Sequence, residues 1–526
     1  MSPQDWEAPG FPKTALLSVA DTTGIVDFAR GLSALGYRIL SAGGTAKTLQ
    51  QEGILFQDVQ ELTGQRDLCA GRVRLLHPRI LAGIAADRQD GAHMRDLDRE
   101  GIPPIDLVAV NLYPLAGVLE SGQMTQKEAM EFVDAGGCAL LLAAARNFRH
   151  VITLCEPKDY SSVLATLRLG RGLIVERSQT LAAKAFYCVS YYDATVAQYL
   201  SHLPSLEHLP DEMIVSLKKA ADLSYGENPH QRAALYSLSG ARPWGLNAAK
   251  LLCGKPLSYN HYLSMDRAVE LVGEFSLPAC AIVKYGIPAG VAVSERIGEA
   301  ARQAYDADPP ACVGGVAAFN REVDLDAARA LAPEYLECIL APEFSSDAID
   351  VLKAKKDVRL VQLPSLLLSA HESGITTVSG GVLIQDRDTP PAGAVARVVT
   401  KTPPSEGLRA ALEFSWRVAK HAATHAAVVG RGTTTMAIAG GQPCRLDAVR
   451  LAVVKSQERH PVVSPLQPMV LASDGALGPQ EIREAAEANI AAVIQPGGSS
   501  DDRESVALAD EFGLAMIFTG VRHFRH

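Results

Sequence analysis

Apolar residues recur along the first part of the chain in two alternating rhythms. Ala15–Val19 is a short apolar run, read as a buried strand, and Ile25, Phe28, Ala29, Leu32 and Leu35 then repeat at helical spacing. Arg38–Leu40 opens a second strand that runs into Ser41-Ala42-Gly43-Gly44-Thr45 and a further helix. Leu107–Val110 is another buried strand and leads into Asn111-Leu112-Tyr113-Pro114. Strands alternating with helices predict a doubly wound parallel sheet. Such sheets take ligands beyond the carboxyl ends of their strands, where Gly43-Gly44-Thr45 and Asn111–Pro114 both fall.

The pattern breaks over His202–Pro210, which is rich in Pro and Leu and has no clear period. Beyond it, Ala279–Val283 and Gly290–Val293 read as hairpin arms around Gly286-Ile287-Pro288, followed by a helix over Ile297–Tyr305. Ala426–Val429 and Thr434–Ala439 repeat the motif around Gly430-Arg431-Gly432, with a helix over Arg445–Lys455. The expectation is a domain over residues 1–200 and a region over 211–526. That region holds two similar subdomains, about 211–345 and 400–526, joined near 345–400.

Composition narrows the class. With 526 residues the chain exceeds one ordinary domain, which spans about 100–200 residues. A net charge of -9 without a basic tract argues against a nucleic-acid partner. MSPQDWEAPGFPK has neither the positive region nor the apolar run of a signal peptide, and no stretch approaches the ~20 apolar residues of a membrane helix. Nine scattered Cys form no CxxC pair, which argues against a disulfide framework or a cysteine zinc site. These features predict a cytoplasmic protein without a resident metal.

Several segments bear on chemistry, each with a plainer reading beside it. Gly43-Gly44-Thr45 offers backbone N–H groups to a phosphate, or is a tight turn with Thr45 as N-cap. Gly71-Arg72-Val73-Arg74-Leu75-Leu76-His77-Pro78 clamps an anion, or is a solvated basic face. Asp134, ahead of Gly136-Gly137 and an apolar helix, is a general base or an N-cap. Lys284-Tyr285 ends an apolar strand, where the amine is either desolvated or snorkelling. Gln495-Pro496-Gly497-Gly498-Ser499 follows a strand over Ala491–Ile494 and again presents N–H groups. The cationic end Arg522-His523-Phe524-Arg525-His526 follows the apolar run Gly513–Phe518 directly, which predicts a docked terminus.

Taken together, SVADTTG, SAGGTAKTL, ELTG, GRVRLLHP, NLYP, VDAGG, AAARNF, SYGENPHQ, GKPLSYN, ADPPACVGG, NREVD, VVKSQ, LASD, QPGGS and FTGVRHFRH occur in the order of one family. Nearly the whole chain resembles the bifunctional AICAR transformylase/IMP cyclohydrolase family. The resemblance implies an N-terminal methylglyoxal-synthase-like domain that closes formyl-AICAR to IMP. It implies two cytidine-deaminase-like α/β subdomains without zinc, which move a formyl group from 10-formyltetrahydrofolate to AICAR. It also implies an intertwined homodimer with the transferase site at its interface. The substrate positions it implies are Ser18, Gly43, Gly44, Thr45, Arg72, Tyr225, Gly315, Arg445, Arg522 and His526. The folate positions are Asp474, Gln495, Gly497 and Gly498. The catalytic positions are Tyr113, Asp134, Arg74, Arg146, Lys284, Tyr285 and His425.

The chain departs from the family pattern at several of these. Ala20, Thr22 and Ala42 stand where the family has Ser, Lys and Ser. Arg74 and Arg146 replace lysines, and an Arg keeps the charge but sheds no proton near neutral pH. Tyr285 replaces the catalytic His, His425 an active-site Asn, and Ser224 an Arg expected on the AICAR phosphate. Ser473–Pro479 lacks the aromatic surface of the family's SDAFFPF. His425 is a candidate to supply the imidazole that Tyr285 lacks, if it faces Lys284. Three readings follow: the family's bifunctional enzyme, a paralogue acting on another carboxamide ribotide, and a catalytically impaired member with a structural or regulatory role.

Overall fold

The structure is a computed structural model that describes residues 12–115, 125–170, 172–201, 209, 211–238, 245–355, 357–364, 373–389, 396–460 and 468–526. Residues 1–11 and the expected break at 202–210, apart from Leu209, lie outside the described residues. The chain divides into two compact units, one of residues 1–218 and 237–242, the other of residues 219–236 and 243–526. Among the described residues no helix is long and apolar enough to cross a membrane.

In the first unit β1 (Thr14–Val19), β2 (Arg38–Ser41), β3 (Gln57–Asp58), β4 (Leu107–Asn111) and β5 (Ile152–Leu154) form a parallel sheet in the order β3-β2-β1-β4-β5. Both faces are covered, as an all-parallel sheet requires. Leu16 enters the core beneath helices Ala135–Arg146 and Val175–Ser201, while its neighbours Ala15 and Leu17 enter the core beneath Ile25–Ala34 and Tyr160–Arg168. The predicted helical stripe is the buried one: Ile25, Phe28, Ala29 and Leu32 pack inward, and Phe28 stacks on Tyr160 at 4.6 Å. The strand order reverses between β1 and β4, so the crevice at their carboxyl ends is the switch point where such folds bind ligands.

The chain goes on through a two-stranded sheet of β6 (Leu217–Leu223) and β7 (Ala233–Leu238). The first half of the second unit then contributes β8 (Lys250–Cys253), β9 (Ala279–Lys284), β10 (Ile287–Val293), β11 (Val316–Phe319), β12 (Cys338–Ala341) and β13 (Arg359–Gln362). A second small sheet pairs β14 (Ser373–Val378) with β15 (Gly381–Asp386). The second half contributes β16 (Arg397–Val398), β17 (Ala427–Arg431), β18 (Thr434–Ala439), β19 (Val470–Ser473), β20 (Ala492–Gln495) and β21 (Ala515–Phe518).

Each half has the same succession. Helix Tyr259–Val272 precedes the β9–β10 hairpin, helix Ile297–Asp306 follows it, and β11, β12 and β13 run parallel. Helix Glu406–Lys420 precedes β17–β18, helix Arg445–Arg459 follows, and β19, β20 and β21 run parallel. The first hairpin turns one residue earlier than its sequence suggests. Tyr285 (φ 52°) and Gly286 (φ 77°) are the two left-handed turn residues, as a right-handed hairpin twist demands, while Ile287 and Pro288 already lie in β10.

The halves share one 12-stranded sheet, in the order β16-β21-β20-β19-β17-β18-β10-β9-β11-β12-β13-β8. They meet where β10 and β18 run antiparallel through the single pair Ala292–Thr434. Threonine hydroxyls extend this short ladder. Thr435 Oγ1 accepts from Val291 N (2.9 Å) and donates to Val291 O (3.2 Å), and Thr433 Oγ1 donates to Val293 O (2.7 Å). Helices add two ionic ties. Asp308, fully buried, meets Lys455 at 2.8 Å and also Arg459. Glu274 meets Lys420 at 2.7 Å and His421 at 2.9 Å. The cationic end is docked, as its sequence predicts: His523 is buried and bonds Asp388 (2.6 Å), and Arg525 N donates to Thr424 Oγ1 (2.8 Å).

Two outcomes follow from these ties. Thr435→Val keeps the shape but strands the buried N–H and C=O of Val291. It is expected to cost about 2–4 kcal/mol in urea unfolding, and a loss below about 1 kcal/mol would remove the hydroxyls from the account of the seam. Burial raises Glu274, but hydrogen bonds from His421 and Lys420 outweigh it and hold its carboxyl at about 2, against 4.5 for a free side chain. Because the folded value is the lower one, this stabilisation is complete above about pH 4.5 and lost as pH falls toward 2. It amounts to at most about 3 kcal/mol. Glu274→Gln is expected to flatten the stability-versus-pH curve over that window, which acid titration of the unfolding midpoint measures.

Candidate active sites

The first candidate site lies at the carboxyl ends of β1, β2 and β4. Asn111, the last residue of β4, accepts from Ala20 N (2.6 Å) and Asp21 N (2.8 Å) and donates to Asp21 O (2.9 Å), fixing the loop after β1. Thr45 is not an N-cap. It sits inside helix Gly43–Gln51, buried, with its hydroxyl bonded to both Val19 N (2.8 Å) and Val19 O (3.1 Å). The cap position is Ala42, which supplies no side-chain bond, so the first-turn N–H groups of Gly43, Gly44 and Thr45 are left for an anion. Ser18 is half-buried on β1 beside this loop.

Arg74 crosses the same helix end. A Cβ on Gly43 (φ 60°) would stand 2.4 Å from its Nη1, so only glycine leaves room for the guanidinium. Asp67 receives Arg74 as a two-pronged pair, Nε to Oδ1 at 2.7 Å and Nη2 to Oδ2. The bond to Asp67 raises the Arg74 pKa further, so Arg74 is a fixed cation and no proton donor. These groups border a cleft of about 240 Å³ that also takes in Lys47 and Asp58. Lys47 is exposed and has no carboxylate partner among the described residues. Sequence reasoning passed over it, although it lies one helical turn from Gly43 and Gly44 inside SAGGTAKTL.

Tyr113 stacks on Phe132 at 5.2 Å, and Arg72 pairs with Glu131. Asp134 takes the N-cap position: its carboxylate accepts from Gly137 N (2.7 Å), and its own N–H donates to Tyr192 Oη (2.9 Å). Arg146 does not join this group. It is exposed in the last turn of the helix that Asp134 caps, about 18 Å along the axis at ~1.5 Å per residue.

The second unit carries two side-chain groups on one edge of its sheet. Lys284, at the end of β9, donates from Nζ to Val313 O (2.7 Å), and its amine lies 5.6 Å from the Tyr285 ring centre. Tyr285 is exposed. The loop over Lys284 needs glycine: a Cβ on Gly315 would stand 2.9 Å from both Cys312 O and Ile282 Cγ2. His261, which sequence reasoning missed inside SYNHY, is buried nearby. Its Nδ1 receives Ser258 N (3.0 Å) and its Nε2 meets Glu337 at 3.0 Å. Gly314 touches this pair and Lys284 alike, with its Cβ position 4.0 Å from both Glu337 Oε1 and Lys284 Nζ. Tyr225 is exposed in the turn between β6 and β7.

The other group surrounds Arg445, the first residue of its helix. Its guanidinium bonds Ala476 O (2.6 Å) and His425 Nδ1 (3.1 Å). Phe524 stands edge-on to His425 at 6.0 Å, and Arg522 lies over Phe524 at 4.7 Å. Gly475 makes the space, since a Cβ there would meet Arg445 at 2.7 Å and Phe524 at 3.0 Å. His526 is exposed at the chain end.

The geometry bears on two expectations. First, the chain does not bring His425 to Lys284. Their strands are separated by β10 and β18, three strand steps or about 14 Å. The amine turns to Val313 and the imidazole to Arg445. Second, of the residues expected on folate Asp474 and Gln495 are buried, while Gly497 is half-buried and Gly498 exposed. Asp474 is fully buried and accepts from Thr424 Oγ1 (2.7 Å) and Ala426 N (2.9 Å). Gln495 is fully buried and accepts from Leu477 N (2.7 Å). Gly498 N bonds Asp502 (2.7 Å), and Gly497 packs on the Phe518 ring.

With this geometry in place, the comparisons with known proteins are direct. A family model described as the AICARFT/IMPCHase bienzyme matches residues 144–455, and one described as an MGS-like domain matches residues 24–138. The bifunctional purine biosynthesis protein PurH of Persephonella marina is 40% identical over 519 residues, covering 98% of this chain and 100% of that protein. The PurH of Bacillus subtilis is 39% identical over 516 residues, covering 98% of this chain and 99% of its own length. A solved chain described as the crystal structure of ForH is 38% identical, covers 36% of this chain and 100% of its own, and superposes with a TM-score of 0.32. The chain belongs to the AICARFT/IMPCHase bienzyme family, with an MGS-like domain in its N-terminal unit.

Proposed function

We propose that this chain is a bifunctional purine-biosynthesis enzyme of the cytoplasm, working as a homodimer. It transfers a formyl group from 10-formyltetrahydrofolate to AICAR and then closes formyl-AICAR to IMP. The observation that carries the reading is the 40% identity to PurH along 98% of the chain, through both units.

Formyl transfer joins the AICAR amine to the formyl carbon, breaks the bond from that carbon to the folate nitrogen, and moves a proton from the amine to the departing nitrogen. Lys284 is the group for the proton-bearing side of this exchange, held by Val313 O with Tyr285 against it. Arg445 and Arg522, with His425 bonded to Arg445, form a separate group suited to the phosphate and ring of the ribotide. Because one chain keeps the two groups about 14 Å apart, a second copy is the reading's natural means of completing each site.

In ring closure the amide nitrogen attacks the formyl carbonyl and water leaves. The first-turn N–H groups of Gly43–Thr45 suit the substrate phosphate. Arg74, tied to Asp67, supplies fixed positive charge for the developing oxyanion. A proton relay through Arg74 is no part of this scheme, and neither is a metal.

Ultraviolet absorbance in two cuvettes tests the reading with the purified full chain. One holds formyl-AICAR, the other AICAR with 10-formyltetrahydrofolate. Turnover is expected in both. A folded protein silent in both overturns the reading and points to another carboxamide ribotide or to a role without catalysis. Lys284→Met is expected to slow transfer by about 10²–10⁴ and to leave ring closure within about twofold. Arg74→Met is expected to do the reverse, slowing closure by about 10²–10³. Equal losses in both reactions from either variant would break the assignment of one reaction to each unit.

A further inference from the structure

The internal repeat of the second unit gives each active-site element a counterpart in the other half. Asp474, after β19, accepts from Ala426 N at the start of β17 (2.9 Å). Asn320, after β11, accepts from Ala279 N at the start of β9 (2.8 Å). This shared clamp aligns Pro278 with His425, Arg321 with Gly475 and Ile297 with Arg445. The counterpart of the Arg445 group is therefore the space between the start of helix Ile297–Asp306 and the end of β11. A cleft of about 740 Å³ lies there. Since β10 and β18 are antiparallel across the seam, it opens on the opposite sheet edge from Lys284 and Arg445.

We propose that this cleft binds a phosphomonoester of nucleotide size. Four arginines border it: Arg296, Arg302, Arg321 and Arg329. Four carboxylates border it too, Glu295, Glu299, Asp324 and Asp326. Asp326 pairs with Arg296 at 3.4 Å, Glu299 accepts from Ser294 Oγ (2.8 Å), and Asp324 caps its helix through Ala327 N (2.8 Å). Arg321 donates only to backbone, to Asn320 O (2.8 Å) and Ser276 O, so its charge is not cancelled there. Arg302 and Arg329 are exposed and have no partner among the described residues. The ten-residue helix Ile297–Asp306 has Arg296 at its N-cap position with no side-chain cap bond, which leaves its first-turn N–H groups open to the same anion.

Guanidinium forks match phosphate oxygens two at a time, and a helix end adds backbone donors. The volume falls within the roughly 300–1,000 Å³ of small-molecule sites. A nucleic acid is disfavoured, because the chain carries a net charge of -9 and the cations form one cleft rather than a track. This site goes beyond the proposed reactions and stands whether or not they hold.

Equilibrium dialysis of the full chain against radiolabelled AMP tests it, with Arg302→Gln/Arg329→Gln beside the unmodified protein. The double variant is expected to lose one AMP site per chain, or to bind there at least about tenfold more weakly, with its thermal midpoint and formyl transfer unchanged. Superimposed binding curves overturn the proposal. Adenosine binding to this site as tightly as AMP overturns it equally, because the phosphate then contributes nothing. Arg302→Glu alone serves as a second variant should the double one fold poorly, and an AMP isotherm unchanged by it counts against the site.

Discussion

Everything in the second unit depends on the junction of β10 with β18. One backbone pair, Ala292–Thr434, is too little ladder to hold two six-stranded halves in a single sheet. Thr433 and Thr435 lengthen it, because a threonine hydroxyl can both donate and accept, as Thr435 does toward Val291. Asp308 and Glu274 reinforce the junction from the helices above. Asp308 is shared between Lys455 and Arg459 of the opposite half, and Glu274 between Lys420 and the His421 imidazole. The same junction sets where chemistry lies. It puts the end of β9 and the start of β17 on one edge, so that Lys284 and the Arg445 group lie on the same edge of the sheet.

The polar groups of both candidate sites are held before any ligand arrives. Arg74 is gripped by Asp67, Lys284 by Val313 O, Arg445 by Ala476 O and His425. Groups fixed in this way need little reorganisation when charge develops, which is where electrostatic stabilisation gains most. The Lys-to-Arg change at position 74 fits that logic. A guanidinium locked in a two-pronged pair is a better fixed charge than an amine and a worse proton carrier.

Much of the first unit was legible from its residues. Short apolar runs alternating with a helical stripe allow few alternatives to a parallel sheet, and Ile25, Phe28, Ala29 and Leu32 are buried as that stripe requires. The hairpin-helix repeat was also legible, with its first turn displaced to Tyr285–Gly286 because a two-residue turn matches the strand twist. Side-chain duty was less so. Thr45, Asp474 and Gln495 read as ligand contacts from their motifs, and the fold shows that each also accepts from a backbone N–H of another segment.

The sequence by itself determined the order of elements, the family and the residue types at each chemical position, because periodicity and motif order are local properties of the chain. Only the tertiary structure decided that Asp134 caps a helix, that Arg146 sits a helix-length away, and that His425 answers to Arg445 instead of Lys284. Those outcomes turn on distances between segments tens to hundreds of residues apart. A hydrogen bond is made or lost over less than 1 Å, and no local pattern specifies separations that finely.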